Sequence, residues 1–266
     1  MTVYHEDERA TLYQADSLAV LRDLPTGSVD AVITDPPYSS GGMMRSDRTN
    51  TTGAKYVQTA TVRDLADFSG DNRDARAYGY WCALWLSECL RITRPGGICA
   101  LFTDWRQLPT TTDALQAGGW VWRGVIPWHK PNGRMIRGNF ANPCEYVVWG
   151  SNGARDPLSL AGWSDKEALP GFYTYHSPRE REHQTQKPVE LMRDLLRIVP
   201  PDAVVLDPFM GSGTTGVAAM IEGRRFVGCE MTEHYAEIAT RRVREAQGQA
   251  VDRGNQASLE FGVTVR

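Results

Sequence analysis

The chain of 266 residues contains no Cys-x-x-Cys spacing. Its five cysteines, Cys82, Cys89, Cys99, Cys144 and Cys229, stand apart, several of them within apolar runs. That pattern argues against a zinc site and a disulfide framework, and fits a reducing compartment. The five histidines make no paired ligand spacing, so no metal is expected. There is no signal-peptide pattern and no apolar run of membrane length, which predicts a soluble, cytoplasmic protein. Internal repeats are absent. An excess of one charge sign is missing too. The 29 basic and 32 acidic residues leave a formal net charge of −3, which by itself does not announce a nucleic-acid partner.

Distribution says more than the sum. From Ala114 to Cys144 there is no Asp or Glu, while Arg123, Lys130, Arg134 and Arg137 alternate with Trp120, Trp122, Trp128 and Phe140. Basic and aromatic residues interleaved in this way suit phosphate contact and an extruded base. The competing expectation is a core set of tryptophans with solvated charges beside them.

Asp35-Pro36-Pro37-Tyr38 follows the apolar run Val29 to Thr34, which predicts a buried strand ending in a stiff corner. Both prolines have fixed φ and no N–H, so the corner's carbonyls point in set directions. The corner offers a carboxylate, the Pro36 carbonyl and a flat ring. Two oxygens can accept both N–H bonds of an amino group on a planar base, while the Tyr38 ring stacks on its face. A second strand-and-turn pattern runs from Ala203 through Asp207, Phe209, Gly211, Ser212 and Gly213. Gly211 and Gly213 can adopt positive φ and let a ligand approach the backbone. Thr214 or Ser212 is expected to cap the helix that follows. The next strand, Arg225 to Cys229, ends in Glu230, about 20 residues after the turn, where an acid can accept bonds from ribose hydroxyls.

Asp-Pro-Pro-Tyr together with Asp-Pro-Phe-x-Gly-Ser-Gly resembles the S-adenosylmethionine-dependent amino-methyltransferases of DNA, which act on adenine N6 or cytosine N4. The catalytic motif precedes the cofactor motif, a circular permutation that is similar to the family's β group. The resemblance covers most of the chain: Thr11 to Asp16, Leu90 to Phe102, Trp128 to Trp149, and His183 to Pro188. It implies a class I, Rossmann-like fold with S-adenosylmethionine as cofactor and double-stranded DNA as partner. It implies catalytic roles for Asp35, Pro36, Pro37 and Tyr38. Cofactor contacts are implied for Asp16 (adenine), Glu230 (ribose), Asp207 (methionine amine), Phe209, Gly211, Ser212 and Gly213, and for Thr185 and Lys187 (methionine carboxylate). Lys130, Arg134 and Arg137 are the candidate DNA contacts. Adenine N6 is the expected target, because Asp rather than Ser precedes Pro-Pro-Tyr; cytosine N4 is the alternative. By analogy a homodimer and a cognate restriction nuclease are further partners. A dinucleotide-dependent oxidoreductase, an inactive DNA-binding protein and a methyltransferase of protein or RNA stay open as readings of other classes.

Alternating strands and helices predict an α/β, doubly wound, mostly parallel sheet in one catalytic domain over 1–266. Helices are expected at Ser17 to Leu24, at Tyr78 to Leu90 with Trp81, Leu84, Trp85 and Cys89 on the apolar face, from an Asp104 cap to Ala117, from Pro188, and from Thr232 toward Gln247. The tail after Gln247 is expected to add an edge strand or remain irregular. Inserted segments at about 39–76 and 150–182 lack periodicity and are expected to face DNA.

Overall fold

The computed structural model of the chain describes residues 2–38, 73–132, 137–155, 168–178 and 186–260. Its strands are β1 (Thr2–Glu6), β2 (Ala10–Gln14), β3 (Val29–Thr34), β4 (Thr93–Thr103), β5 (Val121–His129), β6 (Cys144–Ser151), β7 (Tyr173–Thr174), β8 (Val204–Asp207) and β9 (Arg225–Glu230). Its helices are α1 (Ser17–Asp23), α2 (Ala75–Ile92), α3 (Leu108–Ala117), α4 (Val189–Leu196), α5 (Thr214–Ile221) and α6 (Glu233–Glu260).

Val29–Thr34 is apolar at most positions and buried along most of its length, as a strand covered on both faces must be. It lies centrally in a sheet of order β1-β2-β9-β8-β3-β4-β6-β5-β7. The five strands β2, β9, β8, β3 and β4 pair in parallel. The flank turns antiparallel through β6 and β5, and β1 is antiparallel to β2. This is the mostly parallel, doubly wound α/β sheet expected.

Alternation along each strand feeds two cores. Ala31 and Ile33 pack with Leu191, Ala218, Ala239 and their neighbours from α4, α5 and α6. Val32 faces the other side, with Leu21, Trp85, Leu86 and Leu115 from α1, α2 and α3. Trp85 is fully enclosed, and its truncation to Ala would cost about 3–5 kcal/mol. Asp30 joins three strands at their lower ends: it pairs with Arg94 and accepts the Val204 N–H at 2.7 Å.

Several local expectations change. In α2 the Asp74 side chain accepts the Ala77 N–H at 2.9 Å, and the buried stripe is Tyr78, Cys82, Trp85, Leu86 and Cys89. Leu84 is 40% exposed, because one residue before Trp85 lies ~100° around the helix. Asp104 accepts the N–H groups of Arg106 and Gln107 at 3.0 and 2.9 Å. It therefore closes a turn ahead of α3 rather than capping it. The helix starts later, with Pro109 in its first turn, where a missing N–H costs nothing. Neither Ser212 nor Thr214 caps α5; Gly213 occupies that position in the left-handed conformation, with φ 79°. β4 begins at Thr93, and its Pro95-Gly96-Gly97 stretch forms an irregularity against β3 instead of a separate exit loop. The tail after Gln247 continues α6 to Glu260 and adds no strand. The second inserted segment contains β7, which pairs with the end of β5.

Candidate functional site

β3, β4, β8 and β9 run in one direction. β5 shares that direction, being antiparallel to β6, which is antiparallel to β4. Their carboxyl ends therefore lie along one edge, where open α/β sheets bind ligands. There the Asp35–Tyr38 corner after β3 and the glycine turn after β8 line a common cavity of about 390 Å³. Asp16, Asp35, Pro36, Pro37, Tyr38, Lys187, Asp207, Phe209, Gly211, Ser212 and Glu230 all contribute to it. Gly213 stands behind the turn. A Cβ there would lie 2.9 Å from the Ala239 Cβ, so α6 seals the position against any larger residue.

Asp207 organises the turn. Its carboxylate accepts the hydroxyls of Thr34 and Thr215, each at 2.6 Å, and the Phe209 N–H at 3.0 Å. Burial pushes its pKa up to about 6, against those three donors. Glu230 ties the turn from the next strand: it accepts Gly211 N–H at 3.2 Å and both the N–H and hydroxyl of Thr232, at 2.9 and 2.8 Å. Burial is the largest influence on Glu230 and raises its carboxyl above the ordinary value. Asp16 caps α1 through the Ala19 N–H at 3.3 Å. Ser212 is held by Arg242, which donates to its carbonyl at 2.6 Å and its hydroxyl at 2.9 Å.

Asp35 differs from Asp207 in its partners. Its Oδ2 forms an ion pair with the Lys187 ammonium. Its Oδ1 is buried and has no hydrogen-bond partner among the described residues. Burial, opposed by Lys187 and assisted by Glu145 and Asp207, raises its pKa to about 6. Lys187 is 5% exposed and its amine also lies 3.5 Å from Glu145 Oε2. Burial acts to lower the Lys187 pKa, but the two acids outweigh it and hold the ammonium protonated. Lys187 lines the cavity, and its ammonium is paired with Asp35 and Glu145. The ammonium also sits 5.8 Å from the Tyr38 ring centroid and 5.1 Å from that of Phe102. Tyr38 itself is buried.

The candidate DNA contacts divide. Lys130 follows β5 at the cavity edge, but its ammonium donates to Glu145 Oε1 at 2.6 Å. Arg137 is exposed. Arg134 and Thr185 lie outside the described residues, as do 39–72, 156–167 and 179–185 of the inserted segments. Among the aromatics, Trp120 and Trp128 are core residues whose indole N–H groups donate to the carbonyls of Leu86 and Tyr175 at 2.9 and 3.0 Å. Trp122 is 46% exposed and Phe140 99% exposed.

Sequence reasoning missed the site roles of five residues. Glu145 ends the acid-free stretch, and that position was its signal. Trp81 and Trp85 brace Phe209, with ring centroids 5.3 and 5.1 Å away. Arg73 lies over Trp81 at 4.1 Å and reaches the cavity. Gly216 completes a Gly-x-Gly-x-x-Gly pattern with Gly211 and Gly213, and a Cβ there would meet Phe226 at 2.7 Å. Its role is close helix–strand packing.

Comparison with known proteins agrees with this geometry. The N6_N4_Mtase family model, described as DNA methylase, matches residues 29–241. The Type II methyltransferase M.HinfI of Haemophilus influenzae is 28% identical over 257 residues, covering 88% of this chain and 68% of its own. The crystal structure of M1.HpyAVI superposes with a TM-score of 0.61 at 25% identity, over 88% of this chain and 98% of that one. The PvuII DNA methyltransferase, described as cytosine-N4-specific, shares the fold with a TM-score of 0.62 at 16% identity, over 92% and 94% of the two chains. The family match spans most of the sequence and includes both corners of the cavity, so the chain belongs to the N6/N4 DNA methylase family.

Proposed function

We propose that the chain transfers a methyl group from S-adenosylmethionine to the exocyclic N6 of adenine in double-stranded DNA, at a specific site. Asp35 lines the same cavity as the glycine turn and keeps a buried Oδ1 without a hydrogen-bond partner among the described residues, and this is the observation that carries the reading. A cavity of about 390 Å³ suits such a donor, since small-molecule clefts run to roughly 300–1,000 Å³. Its lining also fits. Glu230 and Asp16 are acids suited to ribose and adenine donors, and Phe209 and Tyr38 offer aromatic faces, which attract a cationic sulfur. Asp207 acts through the turn that it organises, and Gly211, Ser212 and Gly213 keep that turn's backbone close to the ligand. Thr185 remains a proposed contact for the methionine carboxylate.

When bound, S-adenosylmethionine supplies an electrophilic methyl group on a positively charged sulfur. The chain's residues prepare the nucleophile. An aromatic amine is weakly nucleophilic because its lone pair is shared with the ring. The Asp35 carboxylate and the Pro36 carbonyl accept its two N–H bonds, which favours a pyramidal nitrogen and localises the lone pair. Pro36 and Pro37 hold those acceptors without conformational loss. Catalysis is then chiefly positioning and electrostatics. The base must first leave the stack, where its amine is paired. Arg137 and Arg134, which lie in sequence between β5 and β6, are proposed phosphate contacts.

Incubation with methyl-labelled donor and genomic DNA, followed by nucleoside analysis, tests the proposal. Labelled N6-methyladenine is expected. Label in N4-methylcytosine would transfer the same mechanism to cytosine, whose amine presents the same two N–H bonds. Absence of any labelled nucleoside overturns the reading.

A further inference from the structure

Four charges of alternating sign lead from the surface to the catalytic corner. Lys130 donates to Glu145 Oε1 at 2.6 Å, Glu145 Oε2 lies 3.5 Å from Lys187 Nζ, and Lys187 pairs with Asp35 Oδ2. They come from four separate places: the residue after β5, the second residue of β6, the approach to α4 and the corner after β3. The four formal charges cancel, as a buried group must nearly do.

We infer that Glu145 is a positioning residue for Asp35 that acts through Lys187. An ammonium has three donors. Beside a single buried carboxylate it would gain most by bonding both oxygens. Glu145 places a second carboxylate 3.5 Å from that ammonium, its Oε2 buried and without a hydrogen-bond partner among the described residues, and draws the ammonium toward itself by charge. Lys187 is thereby held at the Oδ2 edge, and Oδ1, which has no hydrogen-bond partner among the described residues, is left to accept an amino N–H. Lys130 neutralises the outer face of Glu145 and fixes its carboxylate plane. Burial acts to raise the Glu145 pKa, but the two lysines outweigh it and keep the group ionised, as this role requires. The charged groups that face Asp35 are Lys187, Glu145 and Asp207. The inference rests on the reading of Asp35 as the acceptor of the target amine.

Glu145→Gln tests it in the full chain, with wild-type methylation of DNA measured in parallel. Removal of the charge lets Lys187 engage both Asp35 oxygens. The expected result is a fall in kcat of between about tenfold and a hundredfold, with dissociation constants for S-adenosylmethionine and DNA within about twofold of wild type. Loss of Glu145's negative charge also eases ionisation of Asp35, so the acidic limb of the kcat profile moves to lower pH. Glu145→Asp keeps the charge at shorter reach, and recovers part of kcat with the limb near its wild-type position. A wild-type kcat and pH profile in Glu145→Gln would overturn the inference, as would losses of cofactor affinity and melting temperature that account for the whole fall in kcat. If Glu145→Gln does not fold, Glu145→Asp decides: reduced kcat at unchanged cofactor affinity supports the role, and wild-type kcat removes it. An inactive wild-type protein would instead overturn the methyltransferase reading on which the inference rests.

Discussion

Thr34 donates its hydroxyl to Asp207 Oδ1 at 2.6 Å, across 173 residues of sequence. The bond joins the last residue of β3 to the last residue of β8, on adjacent parallel strands. Each is the residue from which one half of the cavity springs. One hydroxyl therefore ties the Asp35–Tyr38 corner to the glycine turn.

Thr34→Val keeps the side-chain shape and deletes the donor. A buried carboxylate that loses a partner costs about 1–3 kcal/mol. The melting temperature is expected to fall, and affinity for S-adenosylmethionine with it, because Asp207 no longer anchors the turn. Thermal melting and calorimetric titration measure both; a turn independent of Thr34 would leave affinity at the wild-type value.

Asp35→Asn separates activity from stability. Methyl transfer should be lost while binding of S-adenosylmethionine persists, because the amide replaces an acceptor oxygen with a donor. Stability should change its pH dependence. The Asp35 pKa is raised to about 6 from the ordinary 3.8, so burial disfavours the charged form even beside Lys187. Between those two values the folded protein binds more protons than the unfolded chain, and stability contributed by this group falls as pH rises through the window. The Asn variant should lose that fall, while the buried Lys187 ammonium, deprived of one acid, lowers its melting temperature at neutral pH. Melting curves from about pH 4 to 7 check the slope; a variant that keeps the wild-type slope contradicts it.

The same raised value sets the pH dependence of catalysis. In the proposed mechanism Asp35 acts as a carboxylate, whose charge makes it the stronger acceptor for the amine's N–H. The rate constant should thus decline as pH drops through about 6. Single-turnover rates across this range, at saturating donor, report the limb without interference from binding.

Gly213→Ala should damage the cavity from behind. The residue has φ 79°, and the added Cβ would press on Ala239 in α6 at 2.9 Å. Strain of this kind together with overpacking costs about 1–3 kcal/mol. Reduced melting temperature and weaker S-adenosylmethionine binding are expected together, since the backbone of the turn must shift to relieve the contact.

Arg137→Ala and Lys130→Ala should differ in their salt response. Arg137 is exposed, and loss of one phosphate contact lowers the slope of log affinity against log salt by about 1. Lys130 is already paired with Glu145, so its removal should leave the slope near wild type and appear in kcat. DNA-binding titrations at several salt concentrations distinguish the two.

Much of the site was legible because its properties are local. The stiffness of Pro36-Pro37, the freedom of Gly211 and Gly213, and the apolar run of Val29 to Thr34 depend on neighbours in the chain. Helix faces were legible in outline for the same reason. Starts and ends were less so: Asp104 was free to cap or to close a turn, and nothing beside it in sequence decided between them. The tail after Gln247 was likewise ambiguous, with too few apolar residues to reveal the period that α6 continues.

Sequence alone determined the α/β alternation, the two corners and the kinds of atom each offers, because covalent neighbours impose backbone geometry and side-chain chemistry directly. Tertiary structure decided the charges. Lys187 meets Asp35 across 152 residues, Lys130 turns to Glu145 instead of solvent, and Asp207 spends its carboxylate on Thr34 and Thr215. Such pairings depend on which groups are buried together, since a charge removed from water must find a partner wherever the packed chain has placed one.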